Sequence, residues 1–152
     1  MNKQNITSMY NKLVSALTSF YNCNSKTNTE LIQIAKSIFK PLGNNVMRNA
    51  DYSFNNMDGK YSIVNTDNGV GEHWVSVYQE RNNVFVFDTF GRKINILMPE
   101  FEKRARINGY IVYNANKKYE REQKEEQNDC GLRCLAWLIL THSKGIKTVL
   151  LL

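Results

Sequence analysis

The sequence predicts a single α+β domain over residues 1–152, with helices packed on a central sheet of mixed or antiparallel strands. Apolar side chains fall at helical spacing in the first 40 residues, whereas they alternate with a period of two from Tyr61 onward. A chain of 152 residues is long enough for one core and too short for two ordinary ones. Its composition, 42% hydrophobic and 22% charged, excludes a wholly disordered or fibrous chain.

Three helices are predicted, two at the start of the chain and one near its end. The first spans residues 8–21, and the second runs from a cap at Asn28 or Thr29 to Pro41, which cannot continue a helix. The third spans about residues 129–143. We expect all three to cover the sheet.

Four strands are predicted, at residues 61–64, 74–78, 84–87 and 110–113. The second and third are apolar on both faces, which is typical of central strands that are covered on each side. Residues 114–129 are strongly charged and lack an apolar stripe, so we expect a solvated loop or a short exposed helix there.

Charge and cysteine content narrow the possible partners and compartments. The net charge of +6 is concentrated toward the two ends of the chain, which is compatible with DNA or RNA as a partner and equally with a soluble basic domain. Three cysteines without a signal-peptide segment predict thiols in a reducing compartment. No apolar run approaches the roughly 20 residues that cross a bilayer.

A metal site is not expected from the sequence. Only two histidines are present, and the spacing of Cys130 and Cys134 is not that of zinc ligands.

Cys130 is the candidate nucleophile because it stands at the predicted start of the last helix. Unpaired backbone N–H groups and the helix dipole favour a thiolate at such a position. Gly131 is interpreted as clearance for a substrate backbone beside the sulfur. The competing interpretation is a buried structural thiol, as expected for Cys134.

His73 is the candidate general base, and Asp88 is the candidate group that orients it. The other histidine, His142, falls at the end of the last helix and is expected on the surface. A hairpin turn centred between Glu80 and Arg81 puts His73 opposite Asp88. A turn at residues 82–83 instead slides the two about four residues apart, and an Asx turn beginning at Asp88 is a further alternative.

An acyl-transfer site also needs hydrogen-bond donors for the developing oxyanion. The backbone N–H of Cys130 is one candidate. The second is the side-chain amide of Gln127 or of Gln123, both shortly upstream, and the residues by themselves leave that choice open.

Together these motifs resemble the adenain-like family of viral maturation cysteine proteases and the wider clan that includes the ubiquitin-like-protein proteases. The resemblance covers residues 61–141. It is carried by Ile63-Val64-Asn65-Thr66, Gly71-Glu72-His73-Trp74, Phe87-Asp88-Thr89-Phe90-Gly91 and Cys130-Gly131-Leu132.

The resemblance implies a papain-like fold with the site residues in the permuted order His, Asp, Gln, Cys. By that match His73 is the base, Asp88 the orienting acid in place of the family's glutamate, Cys130 the nucleophile and Gln127, in preference to Gln123, the oxyanion donor. It implies no cofactor for the chemistry, with DNA or a viral peptide as an activator, and Cys23 is a conceivable thiol for joining such a peptide.

The function expected from this resemblance is a cysteine endopeptidase that cleaves viral capsid or virion precursor proteins, in the virion or the infected cell. The narrower expectation is a protease of virophage or Polinton type. One alternative is an isopeptidase that removes ubiquitin-like modifiers. A second is a basic nucleic-acid-binding virion protein on an inactive protease fold. The apolar tail at residues 145–152 is expected to be buried against the domain or against a partner.

Overall fold

The computed structural model describes residues 1–22, 24–55, 58–66, 73–116 and 130–152. In these residues a five-stranded sheet has the order β1-β2-β3-β4-β5. The outer pairs β1/β2 and β4/β5 are parallel, whereas the inner pairs β2/β3 and β3/β4 are antiparallel. The predicted α+β architecture with a mixed sheet is therefore confirmed.

The elements follow one another along the chain, with two short 3₁₀ turns at residues 40–42 and 49–51. They are α1 (Lys3–Tyr21), α2 (Asn28–Ile38), β1 (Val46–Arg48), β2 (Asp58–Asn65), β3 (Trp74–Glu80), β4 (Asn83–Phe87), α3 (Ile94–Leu97), α4 (Pro99–Ile107), β5 (Ile111–Asn114), α5 (Cys130–Lys144) and α6 (Ile146–Val149).

The three predicted helices and four predicted strands are all present, with shifted ends. The first helix begins at Lys3, five residues earlier than predicted. The cap of the second is Thr27, not Asn28 or Thr29: its hydroxyl accepts from the Glu30 amide, and the Glu30 carboxylate accepts from the Thr27 amide. This reciprocal pair is a capping box, which satisfies two otherwise unpaired donors of the first turn.

The sheet separates two apolar cores. Helices α1, α2 and α5 pack on the face that carries Trp74 and Tyr78, and helices α3 and α4 pack on the face that carries Val75 and Val77. Every β3 residue from Trp74 to Gln79 is buried. The prediction that this strand is central and covered on both sides is confirmed.

The C-terminal tail folds back onto the domain. It forms α6, in which Val149 is fully buried, and Leu150, Leu151 and Leu152 pack against the core beneath α1 and α5. Of the two positions expected for these leucines, the structure places them against the domain itself.

None of the helices in the described ranges has both the length and the apolar character needed to cross a membrane.

Candidate active site

The β3–β4 hairpin carries the predicted base and acid, and its register differs from both registers considered above. Glu80 pairs with Asn83, so the turn residues are Arg81 and Asn82. Arg81 has a left-handed φ of +57°, as tight two-residue hairpin turns require. The turn between Glu80 and Arg81 and the turn at residues 82–83 are therefore both wrong, and the observed register lies between them.

His73 is consequently a diagonal neighbour of Asp88 and not its direct partner. Val77 pairs with Val86, and the same register continued to the end of the hairpin sets Asp88 opposite Val75. A slip of two residues keeps every side chain on its face because side chains alternate along a strand. Diagonal neighbours remain within reach of long side chains.

The expected contact between the two side chains is present. His73 Nε2 lies 2.5 Å from Asp88 Oδ1, and the two side chains are only 12% and 2% exposed. The imidazole also packs on the ring of Phe90, with centroids 4.8 Å apart. Backbone pairing extends one residue beyond β3, since the Thr66 amide donates to the His73 carbonyl at 2.9 Å. Because Nε2 is engaged by the carboxylate, Nδ1 is the ring nitrogen that is left for a substrate or a thiol.

Asp88 accepts hydrogen bonds from the turn after β4 in addition to its contact with His73. The Phe90 amide donates to Oδ1 at 3.3 Å, and the Gly91 amide donates to the Asp88 carbonyl at 2.9 Å. The Asx-turn alternative and the orienting-acid prediction thus describe the same residue and do not compete.

The ionised form of Asp88 is strongly stabilised by its neighbours. Burial by itself raises the pKa of this carboxyl, but hydrogen bonds and positive charge from His73 and Arg92 outweigh burial and leave the pKa below its usual value. Arg92 donates to Oδ2 twice, from its backbone N at 2.9 Å and from Nε at 3.0 Å. Asp88 is therefore a buried anion at neutral pH.

Within the described residues α5 begins with Cys130, close to the predicted start, and Cys130 is 8% exposed. The first turn of this helix lies along the start of β3. Gly131 packs against Trp74, and the Ser76 hydroxyl donates to the Cys134 carbonyl at 3.0 Å. Cys130 directly precedes Gly131, and His73 directly precedes Trp74. The two residues therefore lie at the same end of the packed β3 and α5.

Gly131 has a role that differs from the predicted one. A Cβ atom there would lie 3.0 Å from Leu31 Cδ2 and 3.4 Å from Trp74 Cδ1, so the glycine faces the interior of the domain. The interpretation of Gly131 as clearance for a substrate backbone is wrong for this geometry. The missing side chain instead lets α5 approach β3 and α2 closely.

Cys134 is the core thiol that the sequence predicts. It is fully buried, and burial raises the pKa of its thiol well above the usual value, helped by the charges of Cys130 and Asp88. Cys130 and Cys134 are not joined in a disulfide.

Three residues named in the sequence analysis are the two candidate glutamine oxyanion donors and the candidate thiol for joining a peptide. Gln123, Gln127 and Cys23 lie outside the described residues. The choice of Gln127 over Gln123 stays a prediction.

Two residues that sequence reasoning missed complete the surroundings of Asp88. Arg92 stands four residues after it, a spacing that the sequence displays, whereas Asn116 comes from the segment after β5 and has no recognisable local signal. Asn116 Oδ1 accepts from the Asp88 amide at 2.8 Å, and its Nδ2 donates to the Asp88 carbonyl at 2.6 Å. His142 is exposed, as predicted, and contacts the rings of Phe39 and Tyr61 far from this cluster.

Among the side chains that the structure describes, no group of three or more His, Cys, Asp or Glu residues is arranged to hold a metal ion.

No protein-family model matches the chain, and neither a curated protein nor a solved structure matches it significantly. These comparisons neither support nor oppose the adenain-like resemblance. The assignment of function depends on the geometry described above.

Proposed function

We propose that this protein is a cysteine endopeptidase in which Cys130 is the nucleophile, His73 the general base and Asp88 the residue that orients the base. The observation that carries the proposal is the 2.5 Å contact between His73 Nε2 and Asp88 Oδ1 at the end of β3 where α5 begins with a cysteine. A nucleophile, a base and an orienting acid are the three parts that covalent acyl transfer requires.

In this mechanism the Cys130 thiol gives its proton to His73 Nδ1, and the thiolate attacks the scissile carbonyl carbon. The imidazolium then returns that proton to the leaving amine, so the C–N bond breaks and a thioester remains. Water, deprotonated by the same Nδ1, attacks the thioester and releases the acid and the thiol. The Nε2 proton stays on His73 throughout, hydrogen-bonded to Asp88.

Two features of α5 support the choice of thiol. The first N–H groups of a helix have no intrahelical partner, and the positive end of the helix dipole stabilises a thiolate at Cys130. Cys134, one turn further on, is fully buried and its raised thiol pKa disfavours the thiolate.

The substrate class comes from the resemblance. We propose viral capsid or virion precursor proteins, cleaved in the virion or the infected cell by a papain-like fold with permuted order. Removal of a ubiquitin-like modifier uses the same three residues and differs only in the groove that holds the substrate.

DNA as a partner is also a proposal, which rests on the positive net charge. The fold distributes basic residues over both faces of the sheet. Lys12 and Lys36 lie on helices that cover one face of the sheet, whereas Lys103 and Arg106 lie on α4, which covers the other. Arg104 is used internally, since it donates to backbone carbonyls at two positions. We therefore expect duplex DNA to contact one of these faces at a time.

A peptide vinyl sulfone, which alkylates a reactive active-site thiol, tests the chemistry. We expect it to modify the wild type at Cys130, to fail with Cys130→Ala and His73→Ala, and to react more slowly with Asp88→Asn. Cys134→Ala is the matched control because that thiol is on the same helix and fully buried. Undiminished labelling of Cys130→Ala at another position would refute the proposal.

Incubation with purified capsid precursors and with modifier conjugates then separates the two substrate classes. Cleavage of precursors that is absent in Cys130→Ala supports the endopeptidase. Cleavage of conjugates alone supports the isopeptidase instead.

A further inference from the structure

We propose that Arg92 and Asn116 are positioning residues that tune the basicity of His73 in opposite directions. Asn116 holds Asp88 against the imidazole, and Arg92 limits how strongly the carboxylate draws a proton onto it. This inference rests on the assignment of His73 as the base in the proposed function.

Asn116 acts on the backbone of Asp88. Its side-chain amide bonds both the N–H and the carbonyl of that residue, at 2.8 and 2.6 Å. The parallel β4/β5 pair brings the two residues together, and the Ala115 amide continues the pairing by donating to the Val86 carbonyl. Two bonds from one planar group fix the position and the direction of Asp88 just beyond the last paired residue of its strand.

Arg92 acts on the carboxylate of Asp88. Both of its bonds go to Oδ2, which leaves Oδ1 for His73 and for the Phe90 amide. Its guanidinium lies 5.2 Å from the centre of the Phe90 ring, which also packs on the imidazole. The Arg92 cation is thus held close to the carboxylate that also binds the imidazole.

These two positions have opposite electrostatic consequences. A carboxylate held close to an imidazole favours the imidazolium, so a residue that keeps Asp88 in place favours protonation of His73. A cation that shares the same carboxylate opposes that protonation. Among the described residues, the thiols of Cys130 and Cys134 on α5 belong to the same electrostatic neighbourhood as Asp88, and both are unchanged in the variants below.

The pKa of His73 can be measured directly by nuclear magnetic resonance in the full-length protein, without any substrate. The chain has only two histidines, so the spectrum is simple. His142 serves as an internal reference because its neighbours are Phe39 and Tyr61 and not the acid cluster.

Two variants and two matched controls define the experiment. Arg92→Gln removes the cation, and its control is Arg48→Gln, which removes an equivalent Nε–carboxylate bond of 3.1 Å at an exposed pair on β1. Asn116→Ala removes the backbone clamp, and its control is Asn114→Ala, whose side chain accepts from the first amide of α3 at 3.1 Å.

We expect the measured pKa of His73 to rise in Arg92→Gln and to fall in Asn116→Ala. Arg92→Lys, which keeps the charge, should return the pKa close to the wild-type value. Neither control should move it, and His142 should titrate identically in every variant. If Asn116→Ala does not fold, Asn116→Ser provides the same test of sign.

Shifts of the same sign in Arg92→Gln and Asn116→Ala would show that both residues merely hold the loop together, and would overturn the proposal. An unchanged His73 would overturn it too. Failure of the protease proposal is a separate result: a protein that neither reacts with the vinyl sulfone nor cleaves substrates can still show the opposed shifts, and an active protease can lack them.

Discussion

Substitution of Gly131 by alanine tests whether close packing of α5 determines where Cys130 stands. The new Cβ would lie 3.0 and 3.2 Å from the two terminal methyl groups of Leu31 and 3.4 Å from Trp74 Cδ1. Carbon atoms prefer separations of about 3.5–4.0 Å, so either Leu31 or the first turn of the helix must move by roughly half an ångström.

Two opposing terms set the effect on stability. Alanine is more favourable than glycine in a helix by up to about 1 kcal/mol, and less at its first turn. Overpacking a filled interior costs about 1–3 kcal/mol. We therefore expect the free energy of unfolding of Gly131→Ala to fall by roughly 0–2 kcal/mol, measured by urea denaturation.

The substitution should also affect the candidate site. A displacement of about 1 Å can cost on the order of a hundredfold in rate, so half of that corresponds to roughly tenfold slower labelling of Cys130. Leu31→Val shortens the opposing side chain, and the double variant should recover much of the rate. The coupling between the two sites should be about 1 kcal/mol in stability.

This reasoning would be refuted by a Gly131→Ala variant that is more stable than the wild type and is labelled at the wild-type rate. Ser143→Ala, an exposed change near the end of the same helix, is the control for a general effect on helix stability.

Three further predictions concern other parts of the molecule. Gln127→Ala should lower turnover by on the order of a hundredfold, whereas Gln123→Ala should have little effect; the opposite result would assign the oxyanion donor to Gln123. Because the pKa of Asp88 is lowered on folding, its stabilisation is complete above the ordinary value of about 3.9 and is lost as the pH falls through the lower folded-state value. Urea unfolding at about pH 6 and about pH 3 should show this acid-induced loss in the wild type and a smaller one in Asp88→Asn, and equal losses would contradict it. Fluorescent duplex DNA should bind without sequence preference and more weakly at higher salt, and no binding at low salt would remove DNA as a partner.

The strands could be predicted from the sequence because their side chains point alternately to two covered faces, which leaves short runs that are apolar on both faces. Four elements were missed, namely β1, α3, α4 and α6, and for two of them the physical reason is plain. The β1 strand has only three residues, too few to display a period. Helix α4 buries only Phe101 and Ala105 and is otherwise charged, so it presents no apolar stripe.

The contact between His73 and Asp88 could be predicted from the sequence, but the register of the hairpin that carries them could not. Arg81 adopts the left-handed conformation in the hairpin turn although it is neither glycine nor asparagine, so no turn signature marks the position. The His73–Asp88 contact survived the error because the true register differs by an even number of residues. Arg92 and Asn116 depend on a loop path that local sequence does not encode.

The way α5 is attached to β3 also affects how the site moves. Strand β3 begins directly after His73. The same strand contacts the helix that begins with Cys130, through Trp74 and through the Ser76 hydroxyl. We therefore expect thermal displacement of this strand to carry the thiol and the imidazole in the same direction. Their separation should then change little when the other helices move.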